Sequence, residues 1–201
     1  MQNLSINNTK VLGKNIKWYK ELDSTQKEIH RLIANNKIEN GMLVGCDFQT
    51  NGIGTHGRKW FSTNGNLTFS FYYELNKNVS EVGDISVEIA NIIKEVFLEC
   101  FNQKIDIIYP NDLFINGKKF GGILVESSIL NNIIKYIVVG IGLNNLKSKI
   151  DASIEKISTS YLEEFGEVFD ERLFLNTFFE KFEEKCLWKL HFCFLGKALK
   201  Q

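Results

Sequence analysis

The chain has 201 residues, 44% of them hydrophobic and 24% charged, a composition that can bury a core and excludes a disordered polymer. Lysine plus arginine equals aspartate plus glutamate at 24 each, for a formal net charge of zero. That argues against a dedicated DNA or RNA binder, whose phosphate contacts call for a cationic surface. No apolar run approaches the ~18–20 residues of a membrane span, and the opening MQNLSINNTK lacks the apolar centre of a secretory signal. The four cysteines (Cys46, Cys100, Cys186, Cys193) lie far apart, with no C-x-x-C and no histidine at ligand spacing. They read as reduced thiols of a cytoplasmic protein.

In chain order, the apolar stretch Ile16 to Lys20 stops at Leu22-Asp23-Ser24-Thr25. A helix is predicted next, with Thr25 and Glu28 spaced as a capping box, an apolar stripe of Ile29, Leu32 and Ile33, and an end near Asn35-Asn36. Met42, Val44, Cys46 and Phe48 alternate, which predicts a strand buried on one face. An irregular Gly-, Thr- and Asn-rich stretch covers Gln49 to Asn66, before a second alternation at Leu67, Phe69, Phe71 and Tyr73. Ile85, Ile89, Ile92, Ile93, Val96 and Phe97 recur at helical spacing, giving a long helix from about Val82 to Phe101. Ile105 to Tyr109 and Leu113 to Ile115 follow as strands, then a hairpin turn at Asn116-Gly117. Gly122 to Ser127 and Ile133 to Ile141 are strands about an Asn131-Asn132 turn. From Ile157 the pattern is helical, with Phe174, Phe178, Phe179 and Phe182 on one stripe. Trp188 to Leu195 reads as a short final strand. The expectation is one α+β domain with a central mixed sheet flanked by helices.

Four segments gather polar groups and glycines at strand ends. Gly52-Ile53-Gly54-Thr55-His56-Gly57 spells G-x-G-x-x-G after a strand, but Arg58 to Asn66 has no helical period, so a dinucleotide fold is disfavoured. A mobile surface loop, or a phosphate cradle in which Arg58 and Lys59 supply charge, both remain open. The only proline precedes Asn111-Asp112, either an ordinary turn or a pair of oxygen ligands held at a strand end. Lys118-Lys119-Phe120-Gly121-Gly122 is either two exposed turn lysines or an anion clamp at the mouth of a buried strand. Val139 to Asn145 ends an apolar strand in glycines and asparagines, as a bulge or a wall for a flat ligand.

Taken in order, these motifs resemble the catalytic domain of bacterial biotin–protein ligases of the non-repressor type. Asp23-Ser24-Thr25-Gln26 stands for the usual D-S-T-N, and Gln49 precedes a glycine-rich loop closing in Gly57-Arg58-Lys59-Trp60. Tyr109-Pro110-Asn111-Asp112 stands for W-P-N-D, Lys119 to Glu126 for K-x-x-G-I-L-V-E, and Gly140 to Asn144 for G-x-G-x-N. The resemblance covers roughly Ile16 to Phe182. Ile53 and Thr55 replace two loop arginines, so fewer bidentate phosphate contacts are expected there. The resemblance divides the chain into a biotin/lipoate ligase-like catalytic domain over 1–187 and, at 188–201, a remnant or first strand of a truncated SH3-like domain.

The resemblance implies an ATP-dependent enzyme that makes biotinyl-5′-AMP and passes biotin to a lysine of a biotin carboxyl carrier protein. It assigns Lys119, Arg58 and Asp112 to catalysis, with Asp112 also placed to hold Mg²⁺. Ser24, Thr25, Gln26, Gln49, Gly122 and Gly142 would bind biotin. Gly52, Gly54, Thr55, His56, Gly57, Arg58, Trp60, Asn111 and Asn144 would bind the nucleotide. Biotin and the carrier are the implied partners, with no DNA and no membrane, and homodimerisation through sheet edges is a further implication. A lipoate or octanoate ligase of the same fold, and a catalytically weak biotin- or adenylate-binding module, are the alternatives.

Overall fold

A computed structural model describes residues 4–146 and 157–195, with side chains to 185. Its frame is a seven-stranded sheet in the order β1-β2-β5-β9-β8-β7-β6. Strands β1 (Ile16–Leu22) and β2 (Leu43–Gln49) run parallel, joined by helix α1 (Thr25–Ala34). The other neighbours pair antiparallel: β5 (Leu67–Asn78), β9 (Ile133–Leu143), β8 (Lys118–Leu130), β7 (Asp112–Ile115) and β6 (Asp106–Ile108). The sheet is therefore mixed, as expected. Both predicted hairpin turns form, Asn116-Gly117 and Asn131-Asn132, with positive φ at every central residue, the backbone that matches the twist of the flanking strands.

The period of two in β5 sorts its residues. Leu67, Phe69, Phe71 and Tyr73 enter the main core, where helices α2 (Ile85–Phe101) and α4 (Glu171–Leu195) cover the sheet. Phe178, Phe179 and Phe182 of α4 meet the rings of Phe69, Phe71 and Tyr73 edge-on. A smaller core of Ile29, Leu32, Met42, Val44, Tyr72 and Val138 holds α1 on the opposite face. That second face also carries the site described below. Among the described residues, no helix is long and apolar enough to cross a membrane.

Five expectations need correction. Trp188 to Leu195 is not a strand; α4 continues through it to Leu195, since extending a formed helix costs far less than nucleating one. The α1 cap is Ser24 rather than Thr25, which frees the Thr25 hydroxyl. Strand β2 is buried on both faces over its first four residues, because Leu43 faces the main core while Val44 faces α1. Helix α2 starts at Ile85, where Asp84 accepts from the N–H groups of Ser86 and Val87. Within the stretch expected to be irregular, β3 (Gly52–Ile53) and β4 (Lys59–Trp60) form a small hairpin, and a short helix α3 (Tyr161–Phe165) precedes α4. Cys46 is buried and Cys100 half-buried, both free thiols; the Cys186 and Cys193 side chains lie outside the described residues.

Candidate active site

The α1 face of the sheet opens into a cleft floored by two rows of paired residues. One row runs Thr68, Gly142, Gly122, Asp112 across β5, β9, β8 and β7; the next runs Ser70, Gly140, Leu124. The glycines are there for room. A Cβ on Gly142 would fall 2.4 Å from the Trp60 indole, and one on Gly140 2.8 Å from Gln26 Oε1. Trp60, carried in by β4, thus lies against the Gly142 backbone, and the Gln26 amide lies against Gly140.

One end of the cleft is polar and neutral. It is built at the N-terminus of α1, where Asp23 accepts the Ser24 N–H and pairs twice with the Arg31 guanidinium. Those Arg31 hydrogen bonds, more than any other influence, hold the Asp23 carboxyl down at about 2. The anchored turn presents Ser24, Thr25 and Gln26 to the cleft. Gln49 Oε1 accepts the Thr25 N–H at 2.7 Å, and the Thr25 and Ser70 hydroxyls lie 2.8 Å apart. Ser70 donates to Gln26 Oε1 at 3.0 Å. Every member of this set is nearly inaccessible to water, so each needs such a partner.

The other end is charged. Lys119 Nζ sits 2.7 Å from Asp112 Oδ1, with both side chains about a quarter to a third exposed. The Tyr109–Pro110 bond is cis, and Asn111 after it caps the Ile123 carbonyl. The lysine backbone is fixed in turn: its N–H donates to Ile157 O and its carbonyl accepts from Thr159. This arrangement leaves a cation and a carboxylate side by side on the wall, able to meet an anion or a proton-bearing nucleophile. The Trp60 indole N–H and the Ser62 and Thr68 hydroxyls, shut off from solvent, have no hydrogen-bond partner among the described residues. Trp60 and Thr68 line the cleft, where a polar ligand would satisfy them.

The model of the Biotin/lipoate A/B protein ligase family matches residues 18–144. The chain belongs to this family. The bifunctional ligase/repressor BirA of Bacillus subtilis is 33% identical over 165 residues, 81% of this chain and 50% of BirA. The biotin–[acetyl-CoA-carboxylase] ligase of Paracoccus denitrificans is 29% identical over 61% of this chain and 51% of its own length. The chain thus spans about half the length of the curated relatives it matches. Among solved structures, the biotin protein ligase of Aquifex aeolicus in complex with biotin and ATP superposes with a TM-score of 0.67 at 31% identity. It is matched over 86% of this chain and 73% of its own.

Within this ligase-family domain, the cleft brings together most of the residues singled out from sequence. Ser24, Thr25, Gln26, Gln49, Gly54, Thr55, Trp60, Asn111, Asp112, Lys119, Gly122 and Gly142 all line it. Five others are placed elsewhere. Gly52 stands beside the cleft, where a Cβ would press on Gln49 Nε2 and the Trp60 carbonyl. His56, Gly57 and Arg58 form the exposed tip of the β3–β4 hairpin, and Arg58 folds back to donate to Thr55 O and Oγ1. Asn144 is a buried staple, accepting from Asn66 and donating to Thr159 O. Sequence reasoning missed Thr68 and Ser70. Their signal was the polar half of the β5 alternation, Thr-x-Ser, opposite glycines two apart on β9.

Proposed function

We propose that the chain is an ATP-dependent biotin–protein ligase that acts in two steps. A biotin carboxylate oxygen attacks the α-phosphorus of ATP, expelling pyrophosphate and giving biotinyl-5′-AMP. The ε-amine of a lysine on a biotin carboxyl carrier protein then attacks the acyl carbon; AMP leaves and the amine gives up a proton. The observation that carries the reading is the Lys119–Asp112 pair at one end of a glycine-floored cleft whose other end is a fixed set of neutral hydrogen-bonding groups. Lys119 would neutralise the carboxylate and the charge that grows on the α-phosphate. Asp112, once Lys119 turns to the phosphate, is the carboxylate positioned to take the proton of the incoming amine.

The neutral end fits a cyclic urea, which needs acceptors for its N–H groups and donors for its carbonyl; Thr25 and Gln49 offer both. Among the described residues, no group of three or more His, Cys, Asp or Glu could hold a metal alone. Asp112 as a single wall carboxylate suits Mg²⁺ arriving on the nucleotide, which takes one or two carboxylates and completes its shell with phosphates and water. Such an ion would offset phosphate charge. The β3–β4 hairpin, with Trp60 at its base, would shield the anhydride from water. The test is to incubate the chain with ATP, Mg²⁺, an acceptor carrier and either biotin or lipoate, following pyrophosphate and carrier mass. Biotin-dependent pyrophosphate and a biotin-sized mass gain are expected; lipoate-dependent release, or none with either acid, overturns the reading.

A further inference from the structure

Glu126 ends the K-x-x-G-I-L-V-E run without a role in the chemistry above. On β8 it faces the α1 side, in register with Val138 of β9. Its Oε2 lies 2.8 Å from Gln26 Nε2 and 2.7 Å from His30 Nε2, two groups one turn apart on α1. An ionised carboxylate only accepts, so both neighbours must donate: His30 carries its proton on Nε2, and Gln26 turns its NH₂ toward Glu126. The second amide hydrogen goes to Val138 O at 3.2 Å.

The orientation of that amide propagates. With Gln26 Oε1 toward Ser70, the single Ser70 hydroxyl hydrogen is committed to Gln26 at 3.0 Å. Across the 2.8 Å contact with Thr25, Ser70 can then only accept. The Thr25 hydrogen therefore points to Ser70 rather than along the 3.2 Å contact to Gln49 Oε1, and Thr25 Oγ1 keeps its lone pairs for the cleft. Were the Gln26 amide flipped, every hydroxyl would reverse: Gln26 to Ser70, Ser70 to Thr25, Thr25 to Gln49. Thr25 would then have spent a lone pair on Ser70. The same atoms thus support two proton orders, and only one leaves Thr25 a full acceptor.

We infer that Glu126 is a positioning residue that, through Gln26 and Ser70, fixes the proton order of the amide–hydroxyl chain so that Thr25 accepts an N–H from the bound substrate. His30 steadies Glu126 from the solvent side. The inference rests on the proposed function, since the N–H in question is that of the biotin ureido ring.

The test is titration calorimetry of biotin and, separately, of ATP into the full chain and its Glu126→Leu, Glu126→Gln, Gln26→Leu and double Glu126→Leu/Gln26→Leu variants. Losing one well-placed hydrogen bond to the substrate should weaken biotin binding about tenfold in Glu126→Leu, with ATP affinity within twofold of wild type. Glu126→Gln, whose amide oxygen can still accept from Gln26, should recover most of that loss. The double variant should bind biotin no worse than Gln26→Leu, because Glu126 acts only through Gln26. Unchanged biotin affinity in Glu126→Leu, failure of Glu126→Gln to recover it, or additive losses in the double variant each overturn the inference while leaving the proposed function intact. A wild-type chain that binds no biotin overturns both. Should Glu126→Leu not fold, the comparison of Glu126→Gln with wild type decides: a tenfold loss there contradicts the inference, and near-normal binding supports it.

Discussion

Lys119 was legible as a candidate because a lysine beside two glycines at a strand mouth is a recognisable clamp, and its partner Asp112 came from a separate segment that sequence alone could not place 2.7 Å away. For Arg58, whose charge and glycine-rich surroundings point to phosphate, the structure adds a contact of its own: the guanidinium donates to the Thr55 hydroxyl three residues back, a local contact that spacing does not reveal. Lys119 sets the first expected outcome. Lys119→Ala should lower the rate of biotin-dependent pyrophosphate release by about 10²–10³ while the circular dichroism spectrum is kept; release near the wild-type rate would remove Lys119 from the chemistry. Cys46 provides a second. Burial, with Asp47 adding to it, pushes its thiol up to about 12. A thiol raised in the folded state favours folding fully below its unfolded value of ~8.5, and that contribution disappears as pH rises through about 12. At pH 8 the folded chain should therefore leave Cys46 unalkylated by iodoacetamide while the unfolded chain is modified there within minutes. Peptide mass mapping separates this site from the other cysteines, and fast labelling of native Cys46 would contradict its burial.

At the scale of elements, the strands were readable wherever apolar alternation met a turn with a mechanism, as at Asn116-Gly117 and Asn131-Asn132. What alternation could not tell is what covers the other face. Thr68 and Ser70, on the polar half of the β5 alternation, are both buried and line the cleft. The glycines of β9 were similarly ambiguous between a bulge and a wall until Trp60 and Gln26 were seen to occupy the space their side chains would have taken. The final apolar run, Trp188 to Leu195, is too short for periodicity to separate strand from helix, and the helix already begun at Glu171 decided it. The glycine argument makes a specific claim about β9. Gly142→Ala places a methyl inside the Trp60 ring volume, so either the indole leaves the floor or the strand shifts, at ~1–3 kcal/mol for overpacking a filled site. A urea titration should show a lower midpoint for Gly142→Ala, and the Trp60 fluorescence, read in a background where the other tryptophans are replaced by phenylalanine, should shift toward that of exposed indole. An unaltered midpoint and spectrum would mean that Trp60 does not rest on Gly142.

The whole molecule divides its labour between the two faces of one sheet. On one face the aromatic side chains of β5, α2 and α4 interlock and no ionisable group of the cleft takes part; on the other, α1 covers a smaller core and leaves the floor of the cleft open. Removal of bulk from the first face should therefore lower stability without touching recognition on the second. Phe178 is the sharpest probe. It is fully buried, lies edge-on to Phe69 and Phe71 and stacks on Phe174 at 5.9 Å. Truncation to alanine costs the transfer of a phenyl group plus the cavity left behind, together ~3–5 kcal/mol. For a chain of this size each kcal/mol moves the thermal midpoint by roughly 2–4 °C, so Phe178→Ala should melt about 6–20 °C below wild type. At a temperature where both are folded, its affinity for biotin should equal that of wild type, because β5 presents Phe69 and Phe71 to α4 and Thr68 and Ser70 to the cleft by strict alternation. A stabilising ligand adds RT ln(1 + [L]/Kd) to either protein, so the upward shift of the melting free energy at a given biotin concentration should also match. A variant that melts lower but gains less from biotin would show that the two faces are coupled through β5, and that the aromatic core sets the geometry of the cleft as well as the stability of the fold.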